Sequence, residues 1–167
     1  DQTTATYYET IEFYEKLSQK SPQITVSSFG STDSGHPLHE VLISANSEFD
    51  VDKINNGQYT ILFINNAIHP GEPCGVDATM MLVRDIADGK IKMPDDLFIV
   101  MIPFYNIGGG LNRGSHSRAN QLGPQAYGFR GNARNLDLNR DFVKCDSRNA
   151  QSFNQLFNKW RPHVMID

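Results

Sequence analysis

Apolar residues recur along the chain in two rhythms that separate its helices from its strands. Tyr7, Tyr8, Ile11, Phe13, Tyr14 and Leu17 fall mostly on one helical face behind a threonine-rich start, which predicts a capped, amphipathic packing helix over 7–17. The same spacing returns over 76–86. It returns again in Phe153, Leu156, Phe157 and Trp160, a core-facing stripe that Pro162 ends. Short β-branched and aromatic runs mark strands instead: 24–29 and 38–45, joined by the polar turn 30–35 as a hairpin, then 59–64 and 97–102. The run 97–102 is continuously apolar, as in a central strand covered on both faces. His163 opens a further buried strand that reaches Asp167. Residues 47–58 are polar and read as a linker. A strand, a helix and a strand in succession imply a right-handed crossover between parallel neighbours. With the early hairpin, the expectation is an α/β fold: a mixed, parallel and antiparallel, sheet flanked by helices.

Composition narrows the function classes. The chain has 167 residues, and an apolar share of 39% supports a real core within one domain. A formal net charge of −4, without a Lys/Arg cluster, argues against a nucleic-acid partner. No apolar run is long enough to cross a bilayer, so no membrane partner is expected. The start at Asp1 shows no charged and apolar leader, which fits a mature secreted or periplasmic chain. Two cysteines define no compartment, and Cys74 reads as a small buried side chain opening a helix. Oligomeric state is left open.

The segment 103–139 has little periodicity and much Gly, Asn, Ser and Arg, and a loop of that length in a compact domain is usually functional. Gly108, Gly109 and Gly110 read as turn residues, since the Lys-Ser/Thr ending of a phosphate loop is absent. Arg113, Arg118, Arg130, Arg134 and Arg140 point to recognition of a carboxylate or another anion by the planar guanidinium fork. Of these, Arg113 and Arg118, with His116, are expected to tie the loop to backbone carbonyls or to face water. His36 and His39, near the hairpin, have no convergent partner and read as surface or turn histidines.

Candidate chemistry centres on His69-Pro70-Gly71-Glu72, between the strand 59–64 and the helix 76–86. An imidazole and a carboxylate three residues apart, with Pro-Gly turning the chain sharply between them, can converge on one metal ion. Zinc suits that pair, because catalytic zinc is commonly held by two histidines and a glutamate with water in the fourth position.

Two stretches, His69-Pro70-Gly71-Glu72-Pro73 and Arg130-Gly131-Asn132-Ala133-Arg134-Asn135-Leu136-Asp137-Leu138-Asn139-Arg140-Asp141-Phe142, together resemble the zinc carboxypeptidase family, which contains carboxypeptidases A and B. The segment Pro103-Phe104-Tyr105-Asn106 is also similar to that family's pattern, although the usual Asp-Gly is replaced by Gly-Gly nearby. The resemblance implies that His69 and Glu72 are zinc ligands. It implies that Arg130, with Arg134 the weaker candidate, polarises the scissile carbonyl, and that Asn139 and Arg140 grip a substrate's terminal carboxylate. The expected activity is metal-assisted hydrolysis of C-terminal peptide bonds, with Zn2+ as cofactor and peptide or protein C-termini as partners. The resemblance further implies that 1–167 is the N-terminal part of a single catalytic domain. A third ligand (a histidine), a general-base glutamate and a tyrosine that closes over substrate would all lie beyond Asp167. On that basis the zinc site of 1–167 alone is incomplete and the isolated segment inactive. Two other readings remain open: an acyl-amino-acid deacylase of the aspartoacylase or succinylglutamate desuccinylase type, and a non-catalytic module that binds peptide C-termini.

Overall fold

The computed structural model describes residues 3–167. Helix α1 (Tyr7–Lys20) is set by the threonine before it: Thr6 Oγ1 accepts from the Glu9 amide at 3.3 Å, and Glu9 Oε2 accepts from the Thr6 amide at 2.8 Å. This reciprocal box satisfies two amides that a helix start otherwise leaves unpaired. Strands β1 (Ile24–Ser31) and β2 (Pro37–Ser44) form the expected hairpin, antiparallel with Ile24 opposite Ile43. The expected linker is partly helical, because Asp50 caps a short α2 (Val51–Asn56) that buries Ile54. Strand β3 (Thr60–Asn65), helix α3 (Cys74–Ala87) and strand β4 (Leu97–Ile102) follow, with β3 and β4 parallel neighbours. After the short α4 (Ile107–Leu111) and a 3₁₀ turn (Leu138–Arg140), α5 (Arg148–Trp160) leads to β5 (Val164–Ile166).

The strand order is β1-β2-β4-β3-β5, antiparallel through β4 and parallel from β4 to β5. Because strand side chains alternate between faces, β4 divides its apolar run between two cores. Phe98, Val100 and Ile102 join Phe63, Phe153, Leu156 and Trp160 on one side; Ile99 and Met101 join Tyr14, Ile64 and Val83 on the other. The sheet therefore lies between α2 and α5 on one face and α1 and α3 on the other. The mixed α/β architecture expected from the sequence is the one observed. A buried polar contact crosses this frame: Glu40 on β2 accepts from Lys159 Nζ at 2.8 Å and from Trp160 Nε1 at 3.0 Å.

Strand β5 departs from expectation. It pairs with β3 as a parallel strand, but Val164, Met165 and Ile166 are 51%, 38% and 53% exposed, so no other described residue covers the run that reads as a buried strand. No helix among the described residues is long and apolar enough to cross a membrane.

Candidate metal and carboxylate site

The site forms where the parallel strands β3 and β4 end. Past β3 the chain stays in register with its neighbour for one more step, the Asn66 amide donating to Ile102 O at 3.1 Å. It then bends at Ala67, whose φ of 58° is a left-handed conformation uncommon outside glycine and asparagine. Amides of the next segment hold the bend: Tyr105 N donates to Asn66 O at 2.8 Å and Asn106 N to Ala67 O at 3.1 Å. Asn106, fully buried, is the clip of the whole arrangement. Its Nδ2 donates to Ile68 O at 3.3 Å and to Arg130 O at 2.9 Å, while its Oδ1 caps α4 by accepting from Gly109 N. One side chain thus fixes the His69 turn against the segment that carries Arg130.

His69 is buried, and its two ring nitrogens do different work. Nε2 lies 2.9 Å from Asp137 Oδ1; since a carboxylate only accepts, Nε2 carries the proton and Nδ1 presents a lone pair. That nitrogen faces Glu72 Oε1 at 3.7 Å and receives Arg130 Nη1 at 3.3 Å. Asp137 also accepts from Arg130 through Oδ2, with Nε and Nη2 each at 3.0 Å, while Oδ1 accepts in addition from the Asn139 amide at 3.0 Å. Burial pushes the Asp137 carboxyl up, but the hydrogen bonds from His69, the Asn139 amide and Arg130 outweigh it and hold the group below the usual carboxylate range.

His69, Glu72 and Arg130 are therefore brought together. Asn139 and Arg140 lie in the 3₁₀ turn that Asp137 caps, both exposed, with Arg140 Nη1 donating to Asn139 O at 2.9 Å. Arg134 stands apart, donating to Asp146 O at 3.1 Å. A cavity of about 190 Å³ opens beside His69 and Glu72, lined also by Asn65, Asn66, Cys74 and Asp167. Asn65 Nδ2 donates to Asp167 Oδ1 at 2.7 Å, tying the end of β3 to the residue after β5. The larger groove, about 760 Å³ between α1 and α3, contains none of these groups.

The sequence profile described as zinc carboxypeptidase matches residues 10–164. The chain belongs to the zinc carboxypeptidase family. Carboxypeptidase 2 of Trichophyton rubrum is 24% identical over 164 residues, covering 95% of this chain and 27% of that protein. The chain thus spans about a quarter of the length of that relative. Among solved structures, a metallo-carboxypeptidase from Burkholderia cenocepacia superposes with a TM-score of 0.71 at 16% identity, covering 97% of this chain and 40% of its own. Carboxypeptidase A from Helicoverpa armigera gives 0.68 at 15% identity, covering 96% and 44%. At these identities the two structures report the shared fold.

Within that family fold, three expectations about side chains change. Arg113 does bind carbonyl oxygens, of Ala126 at 2.7 Å and of Thr4 at 3.3 Å, but Arg118 does not: its Nη2 donates to Glu72 Oε1. Cys74 does open α3 but is exposed, because the helix begins at the rim of the small cavity. Gly108, Gly109 and Gly110 lie in the helix α4 and not in turns; a Cβ on Gly109 would come 2.3 Å from Phe129 O, so backbone packing, not conformation, requires glycine there. Asp137 and Asn106 carry the geometry and were not singled out from the sequence. The signal for Asp137 was present, since a ligating histidine usually donates its second nitrogen to a carboxylate and Asp137 stands beside the Asn-Arg pair. Among the described residues, no group of three or more His, Cys, Asp or Glu side chains converges as a metal site.

Proposed function

We propose that the chain carries the metal-binding turn and the carboxylate grip of a zinc-dependent carboxypeptidase that hydrolyses C-terminal peptide bonds. The observation that supports this best is the division of labour on His69. Asp137 holds Nε2, so Nδ1 is offered toward Glu72 Oε1 across 3.7 Å. Two ligand bonds of about 2.0–2.2 Å each meeting near a tetrahedral angle span about 3.3–3.6 Å, so the donor pair comes within a few tenths of an ångström of a shared zinc geometry. When bound, the ion would supply Lewis-acid polarisation of a carbonyl and acidification of water.

The chain's own residues supply the rest. Arg130 is anchored to Asp137 through Nε and Nη2, and its Nη1, which here donates to the His69 Nδ1 lone pair, would be released toward the oxygen on which charge develops when Nδ1 holds the metal. Such a preplaced donor contributes about 2.7–4 kcal/mol in comparable sites. Asn139 and Arg140, in the turn that Asp137 caps, are exposed and free to take a terminal carboxylate, with the guanidinium fork matched to its two oxygens. Held there, a peptide would present only its last bond to the metal. Peptide or protein C-termini are the partners this reading implies, and a secreted or periplasmic location belongs with it.

In the full-length enzyme, Arg140→Ala should lower kcat/KM for substrates with a free C-terminus by about tenfold or more while leaving C-terminally amidated analogues almost unaffected. An unchanged preference between the two would refute the assignment. Turnover of N-acyl amino acids with none of peptides would favour the deacylase reading.

A further inference from the structure

Arg118 reaches the His69 turn from the middle of the long loop after α4. Gly114 and Tyr127 pair across the loop, Gly114 N donating to Tyr127 O at 3.0 Å and Tyr127 N to Gly114 O at 2.9 Å, so the residues between them form a closed excursion. Its base is seated on the metal turn, because Gly128 N donates to Pro70 O at 3.1 Å. The Arg118 side chain then crosses Gly71: a Cβ added there would lie 2.5 Å from Arg118 Nε and 3.1 Å from its Cδ. Lack of a side chain at position 71 is what admits the guanidinium. The side chain is 27% exposed, and its Nη2 donates to Glu72 Oε1, the oxygen that faces His69 Nδ1.

We propose that Arg118 is a positioning residue that latches the metal carboxylate: it holds Glu72 by the oxygen nearest His69, and a divalent cation must share or take that oxygen to bind. The inference rests on the reading that His69 and Glu72 hold zinc. Two effects act in the same direction. A guanidinium bonded to Oε1 competes for its lone pairs, and a fixed positive charge beside the site disfavours a second cation. Metal affinity depends on a completed shell, so the turn by itself loses this competition and the finished site wins it. The latch thereby sets a threshold against capture of metal by the two-ligand turn.

Zinc transfer between the full-length enzyme and a chromophoric chelator tests the idea. Arg118→Ala should bind zinc about threefold tighter or more, as expected for release of a partly exposed ion pair. Arg118→Gln, which keeps much of the side chain and removes its charge, should shift affinity the same way and serves if the first variant does not fold. Zinc binding that is unchanged or weaker in a folded Arg118→Ala protein overturns the latch. His69→Ala separates the two layers of argument: loss of zinc there, with no tightening in Arg118→Ala, overturns the latch alone, whereas zinc retained by His69→Ala overturns both.

Discussion

Asp137 shows how one carboxylate can organise a site without touching what the site binds. Its Oδ1 fixes the proton of His69 on Nε2, and its Oδ2 fixes the plane of Arg130, so the side chains proposed to hold metal and to polarise the carbonyl are oriented by a single acid. Asp137→Asn keeps the volume but replaces an acceptor by an amide that opposes Arg130 and removes the charge facing His69. Zinc affinity of the full-length enzyme, measured by competition with a chelator, should fall by about 10- to 100-fold, as when second-sphere partners are removed elsewhere. Retained affinity would show that His69 needs no carboxylate behind it. At this scale the sequence was legible where chemistry is local. His69 and Glu72 share one turn, and Arg130 precedes a recognisable Asn-Arg pair. Arg118 was not legible, because its partner is 46 residues away and the space it uses is a missing side chain at Gly71.

Elements with a clear period were equally readable. The helices α1, α3 and α5 and all five strands follow from apolar spacing, since each buries a face or stripe large enough to leave a pattern. The two short helices did not show. α2 buries a single residue, Ile54, and α4 contains three glycines, each of which costs about 1 kcal/mol in a helix relative to alanine. Tertiary packing overrides that propensity in α4. Cβ atoms at Gly108, Gly109 and Gly110 would approach Ala133 N to 2.5 Å, Phe129 O to 2.3 Å and Phe104 Cε1 to 2.3 Å. Gly109→Ala therefore makes a better helix and a worse protein, because the obstacle is the backbone of the segment that carries Arg130. We expect a loss of about 1–3 kcal/mol in thermal or denaturant unfolding, as for other overpacked sites. A stabilised variant would mean that this segment yields readily.

At the scale of the molecule, the two outer strands of the described sheet are built differently. β1 pairs with β2 through a register irregularity between Ser28 and Ser31 and presents polar residues, whereas β5 is short, apolar and exposed, pairing among the described residues with β3 alone. An apolar edge of this kind is a template for pairing with another chain. The 167-residue chain should accordingly self-associate in light scattering, and Ile166→Lys should shift it toward monomer by placing a charge on the open edge. Equal masses for the two proteins would show that the edge is not the contact. The exposure of β5 could not be read from its own residues, since an apolar run reads the same whether or not a further element covers it. The order in which these strands appear has a consequence for biosynthesis. β5 docks on Leu62–Ile64 about a hundred residues after that segment is made, so at translation rates of about 5–20 residues per second a nascent β3 waits roughly 5–20 s for its partner. During that interval the ribosome holds a chain with His69 and Glu72 already synthesised and one flank of β3, the strand that leads to them, still bare.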